Sequence, residues 1–151
     1  MTATQEYHSI LVGTDGSDQA RQAFEKAIAV AKRNHAKVVV AHIMEHHLYG
    51  GTMSFSTYTP DLIQDETNEA KSLLKEYVEI AKSLDYDNVE TVLEFGSPKV
   101  MMATDLPEKY KTDLIMVGQS GLNAVERFVM GSVSDYIIRT ASCDVLVVRP
   151  D

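Results

Sequence analysis

Three glycines and a serine stand at a spacing that suits the binding of an anion. Gly118, Gly121, Gly131 and Ser132 all lie in the stretch GQSGLNAVERFVMGS. Clustered glycine costs backbone entropy, so it indicates either a turn or a close approach of the backbone to another group. The stretch follows the apolar run DLIMV and leads into SVSDYIIRTA, which has the pattern of a helix. The free N–H groups at a helix start attract phosphate, so the sequence predicts either a phosphate site here or a glycine-rich turn.

Two other phosphate-binding patterns do not fit the chain. No lysine follows the glycines in the order GxxxxGK[ST], which argues against a P-loop NTPase. The turn GTDGS after the first apolar run lacks GxGxxG and carries Asp15 where a pyrophosphate would pass, which argues against a dinucleotide site. No base is paired with a nucleophile, so a binding protein is favoured over an enzyme.

The elements that must position these residues alternate between strand and helix. Alternation of this kind predicts a single doubly wound, open parallel five-stranded sheet with four main helices, an α/β fold of Rossmann-like type. We expect the strand order 3-2-1-4-5. The order then reverses between strands 1 and 4, where ligands of such sheets bind. The predicted strands are Ser9–Asp15, Lys37–Met44, 89–95, Asp113–Val117 and Asp144–Arg149.

Composition and charge restrict the possible partners. The chain has 151 residues, which suits one domain over 1–151. A net charge of −8 argues against a nucleic-acid partner. No apolar stretch is long enough to span a membrane, and the single cysteine, Cys143, fits a reduced cytoplasmic setting. His42, within an apolar run, is expected to be a hydrogen-bonded core residue.

The glycine spacing and both of its flanks resemble one known family. Gly118-x2-Gly121-x9-Gly131-Ser132 is similar to the G-x2-G-x9-G-[ST] signature of the universal stress protein family. ILVGTDGS resembles the first strand of that family and its aspartate, and GSVSDYIIRTASCDVLVVRP resembles the closing helix and strand. The resemblance extends from about Ser9 to Pro150. It implies a member of the ATP-binding branch.

The resemblance implies a set of nucleotide contacts. The glycines and Ser132 would hold the phosphates and ribose, the residues after Ser132 would extend that contact, and the end of strand 1 would contact the nucleoside. A backbone group at the end of strand 2 would meet the adenine edge, and strand 4 would line the base. Gln119 and Leu122 stand where relatives often carry polar or basic residues, and Arg127 is the nearest positive charge in the loop. The implied contacts are Thr14, Asp15, Ile43, Met116, Gly118, Gln119, Gly121, Arg127, Gly131, Ser132, Val133 and Ser134.

The implied function is regulatory rather than catalytic. ATP would be bound, with Mg²⁺ or Mn²⁺ held mainly by the phosphates, and hydrolysis or autophosphorylation would be slow. Two alternatives remain open: an interaction module with a vestigial nucleotide site, and a low-turnover phosphotransferase. The last strand, Asp144–Arg149, is apolar on both faces at a predicted sheet edge. An edge of this kind favours pairing with a second copy, so a homodimer is expected, together with a downstream protein partner of unknown identity.

Overall fold

The computed structural model describes residues 6–45, 60–120 and 130–150, and these form one α/β unit. All neighbouring strands are parallel, and their order is β3-β2-β1-β4-β5. The predicted order 3-2-1-4-5 is therefore confirmed. The strands are β1 (Ser9–Gly13), β2 (Lys37–Met44), β3 (Val89–Phe95), β4 (Leu114–Gly118) and β5 (Asp144–Val148).

Three of the helices are α1 (Asp18–Asn34), α2 (Pro60–Ser83) and α5 (Ser132–Thr140). The start of α1 is fixed locally, because Ser17 Oγ accepts the Ala20 N–H at 3.1 Å, as an N-cap serine does. Its end is fixed by His35, whose left-handed backbone (φ 55°) stops the helix. Within the described residues, no helix is long and apolar enough to cross a membrane.

The remaining helical stretch is continuous but changes its winding. It consists of α3 (Pro98–Val100), a π-helical turn (Met101–Asp105) and α4 (Leu106–Tyr110). Pro107 lies in this stretch, and proline commonly breaks or kinks a helix because it has no N–H to donate. The structure shows instead that the chain stays helical. Just before the proline it forms a π turn, in which the Leu106 N–H donates to the carbonyl of Met101, five residues earlier. A π turn of this kind absorbs an irregularity without ending the helix.

The sheet is buried on both faces, and each face has its own core. Ile10, Val12 and Phe24 belong to the face covered by α1 and α2. Leu11 and Ile137 belong to the opposite face, covered by α5 and the helical stretch before β4. Alternate residues of β1 thus serve different cores, as the two-residue period of a strand requires. This explains why the central strands have continuous apolar sequences.

Some of the predicted residues lie outside the part of the chain that the structure describes. These are Gly121 and Arg127, and the segment 46–59 is not described either. Strand β1 ends at Gly13, so that Thr14 and Asp15 lie in the turn that follows it. This puts both residues at the carboxyl edge of the sheet rather than within it.

Tyr77 joins α2 to the end of β1 inside the first core. Its ring meets that of Phe24 edge to face, with 4.8 Å between ring centroids. Its hydroxyl accepts a hydrogen bond from Thr14 Oγ1 at 2.9 Å, and both side chains are buried. A buried donor that loses its acceptor is costly, because water cannot replace the acceptor.

We therefore expect Tyr77→Phe to lower the free energy of unfolding by about 1–3 kcal/mol, because it leaves the Thr14 hydroxyl without this acceptor. Tyr7→Phe is the matched control: it also removes a phenol hydrogen bond, to Asp144 Oδ2 at 2.9 Å, but an exposed one. Its cost should stay below about 1 kcal/mol. Urea unfolding measures both values, and equal costs for the two variants would contradict the buried role of Tyr77.

Candidate functional site

The candidate site lies where the strand order reverses. Strand β1 pairs with β2 on one side and with β4 on the other. The chain leaves β1 toward α1 on one face, and it reaches α5 on the opposite face after β4. Connections that diverge in this way open a crevice at the carboxyl ends of the two strands.

Thr14 is held in place through its backbone and its side chain. Its backbone N–H donates to the Ala41 carbonyl at 2.9 Å. Its hydroxyl donates to Tyr77 and accepts the Gly16 N–H at 3.2 Å. Thr14 is thus a fixed point of the turn after β1. The hydroxyl already has protein partners, so a ligand contact from Thr14 remains a prediction.

Asp15 shapes the same turn. Its Oδ1 accepts the Ser17 N–H at 2.9 Å, and the residue is exposed. This is the side-chain-to-backbone bond by which aspartate commonly forms turns. Gly16 follows with φ +84°, a conformation that side chains rarely adopt. The turn-forming role of Asp15 is therefore observed, and its proposed bond to a ribose hydroxyl stays a prediction.

The end of β2 contributes His42 and Ile43 to the neighbourhood. His42 Nδ1 lies 2.8 Å from the Thr14 carbonyl oxygen. A carbonyl only accepts, so Nδ1 must carry a proton, either in the neutral ring or in the charged one. His42 is thus hydrogen-bonded, as expected, but it is half-buried rather than part of the core. Ile43 is partly buried against the second core.

Met116 lies within the sheet core rather than at the edge. Its side chain is fully buried in the core beneath α1 and α2. Methionine fills irregular spaces in such cores, which explains its presence without any ligand. The prediction that it lines the base is not tested by this position.

Gly118 and Gly131 have a packing reason of their own. A Cβ on Gly118 would lie 3.2 Å from the backbone oxygen of Gln19, and one on Gly131 would lie 3.1 Å from Ser120 Cα. Neither glycine has a positive φ, so neither is required by backbone conformation. The sequence left two explanations open for these glycines, a turn or a close approach of the backbone to a ligand. The structure shows that at both positions the space is taken by the protein backbone itself.

Among the described residues, none accepts a backbone hydrogen bond from the first three N–H groups of α5. Gly131 is the N-cap and provides no side chain, and the first helical bond runs from the Asp135 N–H to the Gly131 carbonyl at 2.9 Å. The N–H groups of Ser132, Val133 and Ser134 therefore precede the helical bonding pattern. They lie at the positive end of the helix, where an anion is stabilised.

Two predicted contacts of α5 differ in character. Ser132 is exposed at the helix start. Ser134 is buried, and its hydroxyl donates to the Gly118 carbonyl at 2.7 Å. That bond fastens α5 to the end of β4. The hydroxyl of Ser134 is thus used within the protein, while its backbone N–H remains at the helix start.

Gln19 contacts the site but was not predicted from the sequence. Its Oε1 accepts the Ser120 N–H at 3.1 Å, and its Nε2 donates to Ser120 Oγ at 3.0 Å. The two residues are 101 positions apart in the sequence. No local pattern reports a contact over that distance, so sequence reasoning offered no signal for it.

Tyr77 and Cys143 are among the described residues whose side chains have a raised pKa. Burial raises the pKa of the Tyr77 phenol, and the bond from Thr14 opposes this only in part. Burial also raises the pKa of the Cys143 thiol, so that it is held in the less reactive thiol form. Among the described residues, no group of three or more His, Cys, Asp or Glu side chains is placed to hold a metal ion.

Comparison with known proteins identifies the family. The model of the universal stress protein family matches residues 6–149. A protein of Staphylococcus saprophyticus named as a universal stress protein is 48% identical over 96% of this chain and 85% of its own length. The universal stress protein UspA from Lactobacillus plantarum is similar in structure, with a TM-score of 0.85, 28% identity, and coverage of 97% of this chain and 100% of that one.

A further similar structure contains a ligand. It is a universal stress protein in complex with cAMP, with a TM-score of 0.69, 28% identity, and coverage of 96% of this chain and 98% of that one. The family match covers almost all of the chain, and the strand order agrees with it. This chain belongs to the universal stress protein family.

Proposed function

We propose that this chain is an adenine-nucleotide-binding regulatory protein of the ATP-binding branch, and that ATP is its ligand. The observation that carries the proposal is the open start of α5. Three backbone N–H groups of Ser132, Val133 and Ser134 lie at the positive end of this helix, at the switch point of the sheet. A relative in complex with cAMP supports a ligand that contains adenine and phosphate.

The other contacts follow from the edges of the crevice. The phosphates would meet the start of α5 and the glycine loop, to which Gly118, Gln119, Gly121 and Arg127 belong. The nucleoside would lie toward the turn after β1 and the end of β2, where Thr14, Asp15 and the Ile43 backbone are placed. Met116 belongs to β4, on the other side of β1 from β2. All of these assignments rest on the family resemblance, and those of Thr14, Asp15, Ile43 and Gly118 rest also on their position at the carboxyl edge of the sheet.

A divalent cation, Mg²⁺ or Mn²⁺, would be held mainly by the phosphates. Magnesium usually keeps several waters and needs few protein ligands when phosphate is present. The chemistry of the described residues fits this, since they provide backbone donors for phosphate and no cluster of metal ligands. The residues of this chain would bind and orient the nucleotide.

We also propose a homodimer that forms through β5. This strand is an edge of the sheet, and it exposes Leu146 to the extent of 38% although the residue is apolar. An apolar edge strand offers both unpaired backbone groups and a surface to bury. The bound nucleotide would then alter the surface that a downstream protein partner contacts.

The first prediction concerns Ser132→Glu, with Ser132→Gln as the uncharged control. A carboxylate at the helix start should repel phosphate, while its interaction with the helix stabilises the fold by about 0.3–1 kcal/mol. We expect denatured wild-type protein and Ser132→Gln to release adenine nucleotide in mass spectrometry, and Ser132→Glu to release little. This variant is preferred to a substitution of Gly131, where any Cβ would press on Ser120.

Equal release by Ser132→Glu and wild type would show that the phosphates lie elsewhere. If the wild type releases no nucleotide, titration with ATP and Mg²⁺ decides the matter. Failure to bind in that titration as well would replace the proposal with an interaction module that has a vestigial site.

The second prediction concerns turnover. A regulatory binding protein should hydrolyse ATP with a rate constant well below about 1 per second, the lower end of the usual enzyme range. Single-turnover assays with Mg²⁺ measure this rate. A faster rate would favour the phosphotransferase alternative.

The third prediction concerns Leu146→Lys, with Phe95→Lys at the opposite edge strand as the control. Both positions are exposed apolar residues, and a lysine opposes pairing of an edge strand. Multi-angle light scattering at micromolar concentration should give a dimer for wild type and for Phe95→Lys, and a monomer for Leu146→Lys. A monomeric wild type would refute the dimer.

A further inference from the structure

Gln19, in the first turn of α1, binds Ser120 in the glycine loop. Its Oε1 accepts the Ser120 backbone N–H at 3.1 Å, and its Nε2 donates to the Ser120 hydroxyl at 3.0 Å. A primary amide has both an acceptor and donors, so one side chain satisfies the backbone and the side chain of Ser120. The backbone of Gln19 also packs against Gly118. Helix α1 therefore contacts the loop at two adjacent points.

Ser120 in turn contacts Gly131, the N-cap of α5. We call Gln119, Ser120 and Gly131 the loop neck. The Gly131 N–H donates to the Gln119 carbonyl at 2.7 Å, and the Cα of Ser120 lies against Gly131 so closely that a Cβ there would be 3.1 Å away. Ser120 is thus held by Gln19 on one side and packs on Gly131 on the other.

We infer that Gln19 is a positioning residue for nucleotide binding, which it affects through the loop neck without touching the phosphates. This inference rests on the proposed function. A displacement of Ser120 would be transmitted to Gly131 by direct backbone contact, and Gly131 is the N-cap of α5. The direction of the N–H groups at the start of α5 therefore depends on a side chain from α1. Misplacement of such donors by a fraction of an ångström weakens the binding of an anion.

The same contact links the two halves of the site. Gln19 lies two residues after Ser17, which caps α1 and accepts in that role from Ala20. Asp15 fixes the turn that leads to this cap. The turn after β1, on the nucleoside side, and the loop neck, on the phosphate side, are therefore attached to the same first turn of α1. The distance between the turn after β1 and the loop neck is therefore fixed before a ligand that contacts both parts binds.

The test compares Gln19→Ala with Gln64→Ala. Alanine is a good helix former, so α1 should persist. Gln64 is the matched control, since it is a helical glutamine exposed on α2 whose side chain donates to Asn68 Oδ1 at 3.0 Å. Isothermal titration with ATP and Mg²⁺ should show Kd raised about 5-fold or more by Gln19→Ala, as expected for the loss of a bond worth about 1 kcal/mol. Gln64→Ala should change Kd less than about 2-fold.

A second measurement needs no nucleotide. Amide hydrogen exchange of the Ser120 N–H should become faster in Gln19→Ala, since this N–H donates to the Gln19 side chain. The amides of β4 should keep their protection. Together the two measurements separate a local effect on the neck from a general loss of stability, which would accelerate exchange in β4 as well.

Three results would overturn the inference. The first is unchanged exchange of the Ser120 N–H in Gln19→Ala, which would show that the Gln19 side chain does not hold the loop neck in place. The second is faster exchange with an unchanged Kd, which would limit Gln19 to a structural role. The third is loss of protection throughout β4. A wild-type protein that binds no nucleotide is a distinct outcome: it refutes the proposed function, and the positioning role falls with it, whereas the first two results leave wild-type binding intact.

Discussion

The position of Thr14 at the end of β1 is the constraint on which the rest of the candidate site depends. Its N–H bonds to Ala41 of β2, its carbonyl oxygen accepts from His42, and its hydroxyl bonds to Tyr77 of α2. These bonds therefore attach Thr14, in the turn after β1, to both β2 and α2. Because the groups involved are buried or half-buried, each bond is costly to break without a replacement. The turn that starts α1 leaves the sheet from this fixed point.

The fixed turn has consequences on the other side of the crevice. It sets where α1 begins, and the first turn of α1 carries Gln19, whose backbone packs on Gly118 and whose side chain holds Ser120. Gly131 then packs on Ser120 and caps α5. Each contact in this series is between backbones or involves a backbone group. Because the contacts are closely packed, a shift of one residue displaces the next. The open start of α5 is thus oriented by a chain of contacts that begins at β1.

The sequence predicted the parts of this arrangement that depend on local pattern. Continuous apolar runs predicted the strands, and the alternation of strand and helix predicted the parallel sheet. The handedness of the connections left few possible strand orders, and 3-2-1-4-5 was the one expected. The bond from Thr14 to Tyr77 spans 63 positions and that from Ser120 to Gln19 spans 101. Such pairs are fixed by tertiary packing, which leaves no periodic trace in the residues between them.

Gly118 and Gly131 have a packing role that their spacing in the sequence did not reveal. The spacing is compatible with a turn or with a close approach to a ligand, whereas the structure places Gln19 and Ser120 against the two glycines. The two explanations are compatible, because a loop neck that closes this tightly also holds the start of α5 open. An acidic chain of net charge −8 repels anions at long range, but salt screens that repulsion beyond about 10 Å. Binding of a phosphate then depends on fixed backbone donors at short range, and in this chain their placement depends on glycine.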